Sequence, residues 1–254
     1  MDLKRALSER DSVEATWVSV PHPAVAELAG EQGFDCVFLD AEHTPASVET
    51  VESVVRAVDA GSGGEAASVV RVAWNDPVRI KRVLDTGPTG VMVPMVETRE
   101  EAEAFVEATH YPPDGVRGMA AARASGYGTR FEAYVKRAND EVVAIAQVET
   151  ETGVENARDI AAVHGVDALF VGPADLGASL GSAPGEPRFE DAVASVVEAA
   201  HDAEVAVGTL ATRTDAIADW VDRGVDFLAV GYDLQYLAKG AEEARSAYES
   251  AREH

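Results

Sequence analysis

Short apolar runs rich in β-branched residues alternate along this chain with amphipathic stretches rich in alanine and glutamate. The apolar runs predict eight strands, at residues 15–20, 36–40, 68–72, 90–94, 142–148, 167–171, 204–209 and 226–231. The amphipathic stretches predict helices at residues 23–32, 45–59, 76–86, 98–109, 153–163, 188–202, 212–223 and 235–252. Strands that alternate with helices pair in parallel through right-handed crossovers. Eight such units in 254 residues predict an α/β fold of the closed (β/α)8 TIM-barrel type.

The competing architecture is an open, doubly wound sheet, which needs a glycine-rich phosphate turn after an early strand. The glycine-rich segment 61–64, GSGG, instead precedes a strand and lacks the Lys-Ser/Thr pair of a phosphate loop. No internal repeat or linker interrupts the pattern. We therefore predict a single barrel domain over residues 1–254.

The stretch from 110 to 141 has no predicted strand or helix. It opens with the turn signal HYPPDG and continues as GVRGMAAARASGYGTR, which carries three arginines among small residues. We expect this stretch to form an anion-binding lid beside the mouth of the barrel. The alternative is a surface excursion whose arginines are solvated.

The formal net charge of −24 argues against a nucleic-acid partner, because phosphates are bound by lysine and arginine. Only four of the 21 basic residues are lysines. An acidic, lysine-poor surface is typical of proteins from salt-loving organisms, where salt screens the self-repulsion. An acidic enzyme from a mesophile is the alternative interpretation.

The remaining composition favours a soluble, cytoplasmic protein. The single cysteine, Cys36, lies in an apolar strand and is expected in the core, so no disulfide within the chain is possible. The amino-terminal residues are polar and lack the apolar core of a signal peptide. No apolar run approaches the roughly 20 residues that a membrane span requires.

Polar residues stand at the carboxyl ends of several predicted strands, where barrel enzymes place their chemistry. The second strand ends in Asp40, with Glu42 and His43 just past it, and the third strand carries Arg71. The fifth strand ends in Gln147 and leads to Glu149, and the sixth leads into Gly172, Pro173, Ala174 and Asp175. We expect these residues to converge at one mouth of the barrel.

Glu149 and Asp175 would be two carboxylates on neighbouring strands, which repel each other unless one is protonated or a cation lies between them. Oxygen ligands suit a hard divalent ion, so we predict a site for Mg²⁺ or Mn²⁺, with Co²⁺ as a further option. Zinc is disfavoured because cysteine and histidine are not clustered. A salt bridge or a helix cap is the alternative for these acids.

Arg71 and His43 are the other candidates for chemistry. An arginine in an apolar strand must be paired, and its guanidinium suits a carboxylate or a developing enolate oxygen; a structural pair with Asp40 or Glu42 is the alternative. His43 can exchange protons near neutral pH, and Asp40 could orient its ring. A simple helix cap would explain Asp40 but would leave His43 without a task.

No lysine ends a predicted strand, so catalysis through an imine with a barrel lysine is disfavoured. A carbanion formed at this mouth would then need a metal that acts as a Lewis acid.

Several stretches together resemble the HpcH/HpaI family of metal-dependent aldolases: GFDCVFLDAEHTPAS, RVLDTGPTGVMVPMVETREEAE, YPPDGVRGMA, AIAQVETETGVEN, ALFVGPADLGASLG and GVDFLAVGYD. The resemblance covers nearly the whole chain. It implies a class II aldolase that cleaves 4-hydroxy-2-oxoacids to pyruvate and an aldehyde, with a hexameric assembly whose subunits exchange the last helix.

The resemblance also implies roles for particular residues. Glu149 and Asp175 would hold the metal, beside Gln147, and pyruvate would chelate it. Arg71 would stabilise the enolate oxygen, while His43 would act as the base, helped by Asp40 or by Asp85, which is placed at a helix end to reach a neighbouring subunit. The backbone around Gly172, Pro173 and Ala174 would cradle the pyruvate carboxylate, and Arg123 would meet the aldehyde end.

Two departures from the family pattern concern the substrate's tail: the loop around Arg123 is shorter, and residues 208–213, GTLATR, differ. A lyase acting on a CoA ester is the second hypothesis, although the chain has no basic cluster for the adenosine phosphate. A non-catalytic barrel that binds a keto acid is the third.

Overall fold

The computed structural model describes residues 1–252, and its eight parallel strands close into a barrel in chain order, as predicted. Strand β1 pairs with both β2 and β8, which closes the ring. The strands are β1 (Val13–Val18), β2 (Cys36–Asp40), β3 (Ala67–Arg71), β4 (Gly90–Val93), β5 (Val143–Val148), β6 (Ala168–Val171), β7 (Ala206–Leu210) and β8 (Phe227–Tyr232). Each overlaps the strand predicted for it.

The helices in the described part of the chain include three that the sequence did not predict: the first, the sixth and the ninth. The helices are α1 (Leu3–Glu9), α2 (Pro23–Glu31), α3 (Val48–Gly61), α4 (Pro77–Asp85), α5 (Arg99–Thr109), α6 (Phe131–Glu141), α7 (Glu151–Glu155), α8 (Ala157–Ala161), α9 (Pro173–Leu180), α10 (Pro187–Asp202), α11 (Ile217–Asp222) and α12 (Asp233–Arg252). Short 3-10 turns cover Arg123–Ser125 and Thr214–Ala216. The helix predicted at 153–163 is divided into α7 and α8 at Asn156.

The starts of the outer helices follow local sequence signals. Ser47 and Asp76 accept hydrogen bonds from backbone N–H groups of the first turns of α3 and α4. Thr98 and Glu101 form a reciprocal capping box at α5. Such caps satisfy donors that an isolated helix end leaves free, and each stabilises the helix by about 1 kcal/mol.

Alternate residues of each strand point into the barrel, where large aromatic side chains fill the interior. The rings of Trp17 and Phe38 stack with their centroids 5.4 Å apart, and Phe170 and Phe227 pack against Phe38 at 5.8 and 6.2 Å. Gly208 makes room for this layer, because a Cβ at that position would lie 2.3 Å from the Phe227 ring. Truncating Phe38 to alanine would cost about 3–5 kcal/mol through the cavity it leaves.

Helix α1 closes the amino-terminal end of the barrel. Its buried side chains, Leu3, Ala6 and Leu7, belong to the same apolar cluster as the inward-facing strand residues. A second apolar cluster lies between the outward-facing strand residues and the ring of helices. Cys36 is buried within the strand layer, as predicted.

Helix α12 differs from the other helices because none of its residues, 233–252, is buried. An apolar groove of about 740 Å³ lies beside its first turn, lined in part by Val18, Val25, Leu28 and Leu237. Leu28 and Leu237 expose 58% and 69% of their surface, values that are unusual for leucine.

The prediction that the 110–141 stretch lies beside the mouth is wrong for the chain's own barrel. This stretch connects the end of α5 to the start of β5, and connections from a helix to the next strand lie at the amino-terminal end of a barrel. It also contains α6, a helix that the sequence does not predict. Across residues 1–252, none of the helices combines the length and the apolar character needed to cross a membrane.

Candidate active site

The period of two along each strand brings the predicted site residues together at the carboxyl end. Asp40 points into the barrel, as do Cys36 and Phe38 on the same strand. Arg71 points inward as Val69 does. Strand pairing places Asp40 directly beside Arg71. On β5, Gln147 continues the inward series above Ile145, which places Glu149 at the rim.

Arg71 is clamped by two acids. Its Nε and Nη2 donate to the two carboxylate oxygens of Asp40, at 3.1 and 2.9 Å, and its Nη1 lies 3.1 Å from the Oε2 of Glu42. The guanidinium lies over the ring of Trp17, 4.7 Å from its centroid. The pairing that we considered as an alternative therefore exists, and it fixes the position of the guanidinium. Hydrogens on Nη1 and Nη2 that these bonds leave free can still meet a ligand oxygen.

His43 lies at the edge of the site and contacts a different acid from the one predicted. Its side chain is 67% exposed, and its Nε2 lies 3.7 Å from the Oε2 of Glu42. The Oδ1 of Asp40 instead accepts hydrogen bonds from the backbone N–H groups of Glu42 and His43, at 3.0 and 3.4 Å. Asp40 thus shapes the turn that carries His43, while Glu42 faces the ring.

Glu149 is held in the wall of the site by neutral donors. The backbone N–H of Met95 donates to its Oε1 at 3.0 Å, and the side-chain amide of Gln147 donates to its Oε2. Gly172 lies against the same carboxylate, since a Cβ there would lie 2.4 Å from Oε2. Any other residue at position 172 would displace Glu149.

The site carries more acid than base. The pKa of Glu149 is raised to about 7, chiefly by burial; the charges of Asp175 and Glu42 act in the same direction, and the hydrogen bonds from Met95 and Gln147 oppose the shift. Burial likewise raises the pKa of Glu42, although Arg71 opposes the shift. Asp175 lies in the first turn of α9, where the helix N-terminus favours an acid. Of the four carboxylates at this end, Arg71 pairs with two, Asp40 and Glu42, and this imbalance favours a bound cation near Glu149 and Asp175.

The residues at this end fit a hard divalent cation. The Oε1 of Gln147 and the Oε2 of Glu42 are buried without a hydrogen-bond partner. Buried oxygens of this kind beside two carboxylates match the ligand preference of Mg²⁺ and Mn²⁺. Among residues 1–252, no group of three or more His, Cys, Asp and Glu side chains forms a ready-made metal cluster. A site based on Glu149 and Asp175 would thus rely on further oxygens from water or substrate.

The predicted cradle for the substrate carboxylate begins α9. Gly172 is its N-cap residue, and Pro173 and Ala174 occupy its first turn, so the free N–H groups of this turn are available to an anion. A cavity of about 510 Å³ adjoins Pro173 and Ala174 and extends to Thr212. This cavity gives room for the remainder of a substrate.

Asp85 and Arg123 lie at the opposite end of the barrel from Glu149. Asp85 ends α4 and lies 3.6 Å from the Nη2 of Arg117. Arg123 donates to the carbonyl oxygen of Thr86 at 2.7 Å and pairs with Asp59. Neither residue reaches the mouth of its own chain, so a role in catalysis requires a neighbouring subunit.

Two contributors to the site, Met95 and Trp17, could not be identified from the sequence. Met95 has a left-handed backbone, with φ at 56°, which aims its N–H at Glu149. Such strain in a residue other than glycine is uncommon and often accompanies function, but it leaves no signal in the sequence. Trp17, beneath Arg71, was treated only as part of a strand. Glu42, which the sequence offers as an alternative partner of Arg71, forms that pair.

Fold and site together define a (β/α)8-barrel protein with a carboxylate-rich site at the carboxyl ends of its strands. The model of the HpcH/HpaI aldolase/citrate lyase family matches residues 15–240. A 4-hydroxy-2-oxovalerate aldolase from Novosphingobium aromaticivorans is 42% identical over 244 residues, which are 94% of this chain and 90% of the relative. A 4-hydroxy-2-oxo-heptane-1,7-dioate aldolase from Shigella sonnei is 39% identical over 230 residues, 89% of this chain and 86% of the relative.

A crystal structure of a family member from Burkholderia cenocepacia J2315 superposes with a TM-score of 0.93 and 36% identity, over 97% of this chain and 98% of that one. The chain therefore belongs to the HpcH/HpaI aldolase/citrate lyase family, which confirms the predicted resemblance.

Proposed function

We propose that the chain is a metal-dependent class II aldolase that cleaves 4-hydroxy-2-oxoacids to pyruvate and an aldehyde, or forms them in the reverse direction. The observation that carries this proposal is the excess of acid around Arg71, with Glu149 held at the rim by Met95 and Gln147. The names of the relatives support the reaction class. They differ in the substrate's tail, so we leave the aldehyde open.

Glu149 and Asp175 would hold the cation, with Gln147 beside them. When bound, Mg²⁺ or Mn²⁺ supplies Lewis-acid stabilisation of the negative charge that develops on the 2-oxo oxygen. Because the pKa of Glu149 is raised to about 7, protons compete with the cation for this carboxylate at neutral pH. The backbone of Gly172 and Ala174 at the start of α9 would bind the substrate carboxylate.

Arg71 and His43 would act on the reacting atoms. Arg71 is fixed by Asp40, Glu42 and Trp17, so its free hydrogens can stabilise an enolate oxygen without reorganisation. His43 lies at the exposed edge, where it can take the proton of the C4 hydroxyl, directly or through a water molecule, and later return it.

We further propose that the active protein is a homo-oligomer, and by family resemblance a hexamer. Asp85 and Arg123 would then contribute to a neighbouring subunit's site. The absence of buried residues in α12 (Asp233–Arg252) and the apolar groove beside it support exchange of the last helix between subunits. Light scattering would test this, because Leu237→Asp should lower the assembled mass.

The decisive test is pyruvate release from a panel of 4-hydroxy-2-oxoacids, with EDTA and with added Mg²⁺ or Mn²⁺. Cleavage that EDTA abolishes and the cation restores is expected. Cleavage that resists EDTA would refute the class II mechanism. Pyruvate binding without turnover of any substrate would favour a non-catalytic barrel, and turnover of CoA esters alone would favour the CoA lyase hypothesis.

A further inference from the structure

The last strand of the barrel, β8, contains a bulge just before it reaches the mouth. Ala15 of β1 is in register with Ala229 of β8, and the next register pair is Trp17 with Tyr232. Between these pairs β1 has one residue and β8 has two, which is the arrangement of a β-bulge. Bulges often lie beside active sites, where they change the direction in which a side chain points.

The bulge turns the side chain of Tyr232 into the barrel. Ala229 belongs to the inner apolar cluster, so strict alternation would point Tyr232 outward. Instead, two successive residues face outward: Val230 packs against the outer cluster, and a Cβ on Gly231 would lie 2.7 Å from the ring of Tyr236 in α12. Tyr232 consequently packs against the inner cluster.

The hydroxyl group of Tyr232 is free to bind a ligand at the mouth. Tyr232 ends β8 and is only partly buried, and its register partner Trp17 lies under the guanidinium of Arg71. The hydroxyl of Tyr236 lies 3.1 Å from the Oγ1 of Thr16, whereas that of Tyr232 forms no hydrogen bond within residues 1–252. A phenol of this kind can both donate and accept a hydrogen bond.

Tyr232 lies beside space for the part of the substrate that the proposed reaction leaves without a partner. That reaction assigns the carboxylate to the start of α9, the 2-oxo oxygen to Arg71 and the cation, and the C4 hydroxyl to His43. Leu210, on the neighbouring strand β7, packs against the same inner cluster and lines a cavity of about 360 Å³ together with Pro173. The atoms beyond C4 therefore have room next to Tyr232.

Positive charges along this cavity are matched by acids. Arg213 pairs with Asp215, and Arg223 pairs with Glu190. This side of the mouth therefore offers a substrate tail hydrogen bonding rather than free positive charge. A neutral phenol is suited to a hydroxyl group on such a tail.

We propose that Tyr232 is a specificity-determining residue: its hydroxyl forms a hydrogen bond with a hydroxyl group on the carbon next to the aldehyde carbonyl, which is C5 of the 4-hydroxy-2-oxoacid. The chain then favours hydroxylated aldehydes over alkyl aldehydes of the same length. This inference rests on the proposed aldolase function. A site that bonds a substrate hydroxyl discriminates against the analogue that lacks it, because its own polar group is left without a partner.

The test measures synthesis from pyruvate with glycolaldehyde or with acetaldehyde, which differ by one hydroxyl group, at a saturating concentration of Mn²⁺. Tyr232→Phe removes only the phenol oxygen, and Tyr248→Phe makes the same change at an exposed tyrosine of α12. We expect Tyr232→Phe to lower the ratio of kcat/KM for glycolaldehyde to kcat/KM for acetaldehyde by about 10-fold or more. A higher KM for glycolaldehyde should account for most of this change, and Tyr248→Phe should leave the ratio as in the wild type.

The ratio separates recognition of the hydroxyl group from a structural role, since damage to the fold would slow both aldehydes alike. An unchanged ratio in Tyr232→Phe, with or without a general loss of turnover, would overturn the inference and leave the aldolase function standing. Tyr232→Leu, which removes the ring as well, should lower the ratio at least as far. A wild type that joins neither aldehyde to pyruvate would overturn the proposed function together with the inference.

Discussion

Acidic side chains at the two ends of this barrel differ in whether they have basic partners. At the amino-terminal end, acids have basic partners: Asp59 pairs with Arg123, Asp85 with Arg117, and Asp167 with Lys4. At the carboxyl end, Arg71 pairs with Asp40 and Glu42, whereas Glu149 and Asp175 act on each other without a basic partner. Both ends are partly buried, so solvent exposure does not explain the difference.

The comparison teaches that an uncompensated cluster of acids is a better sign of function here than burial or charge alone. Paired acids stabilise a fold or at least do not oppose it, whereas buried like charges destabilise it unless something else is bound. The carboxyl end therefore carries an electrostatic cost, which the divalent cation of the proposed function would relieve.

The largest effect should come from removing one acid of the uncompensated end. Glu149→Gln or Asp175→Asn should abolish detectable Mn²⁺ binding and lower turnover by about 10³-fold or more, because the Lewis acid is lost. Isothermal titration with Mn²⁺ checks the binding. Asp59→Asn, a matched change at the paired end, should bind Mn²⁺ as the wild type does; equal losses at both ends would erase the contrast.

The second-largest effect concerns Arg71, the arginine that pairs with two of the acids at the carboxyl end. Arg71→Lys keeps the charge but loses the forked geometry held by Asp40, so kcat for cleavage should fall by about 10²- to 10³-fold. Mn²⁺ affinity should change little. Steady-state kinetics at saturating Mn²⁺ measures the first effect, and a variant as active as the wild type would remove Arg71 from the reaction.

If neighbouring subunits share a site, hybrid oligomers can test whether Asp85 of one chain acts together with Arg71 of another. Asp85→Asn and Arg71→Ala should each be weakly active alone, yet co-expressed mixtures should regain about a quarter of the wild-type sites, those that pair an intact Arg71 with an intact Asp85. Activity of purified hybrid oligomers checks this. Full activity of Asp85→Asn alone, or no recovery in hybrids, would confine each site to one chain.

The pH dependence of the free energy of unfolding should reveal how much the buried carboxylate of Glu149 destabilises the metal-free fold. Since the pKa of Glu149 is raised to about 7 in the folded chain from 4.5, the metal-free fold holds this proton more tightly than the unfolded chain does. The stabilisation is complete below pH 4.5 and is lost as the pH rises to about 7, a loss of about 3 kcal/mol at most. Urea unfolding of metal-free protein at pH 5 and pH 7.5 measures the loss, which Glu149→Gln should reduce and saturating Mn²⁺ should reverse.

The smallest effect concerns the outer surface, where a formal charge of −24 repels itself. Raising KCl from about 0.1 M to about 2 M should increase the melting temperature by a few degrees, because screening shortens the range of this repulsion. Calorimetry in KCl checks the trend. A melting temperature that falls with KCl would count against adaptation to salt.

The fold could be predicted from the sequence because strand length, β-branched composition and alternation all indicated the same architecture. The acids and Arg71 could be placed at one end because the carboxyl ends of parallel strands meet there. The arginine-rich stretch was placed at the wrong end, although the predicted helix at 98–109 and the predicted strand at 142–148 already make it a helix-to-strand connection, and such connections lie at the amino-terminal end. Helix α9 was missed because eight residues, mostly small, carry too little periodicity.

Side-chain directions beyond a strand end could not be predicted. Asp40, Glu42 and His43 lie within four residues of one another, and the sequence does not say which acid faces the ring. The turn after β2 decides this, because Asp40 accepts the backbone N–H groups of both later residues and is drawn toward Arg71. Met95 contributes through its backbone alone, so its residue type carries no signal.

Because α1 fills the amino-terminal opening of the barrel with Leu3 and Leu7, the candidate site is open to solvent from the carboxyl end. For the proposed reaction, both products must leave through it, and the fragment seated nearer the solvent must go first. The aldehyde would therefore depart before pyruvate, and synthesis would require pyruvate to enter before its partner. Product-inhibition kinetics should consequently show pyruvate competing with the hydroxy-oxoacid for the free enzyme.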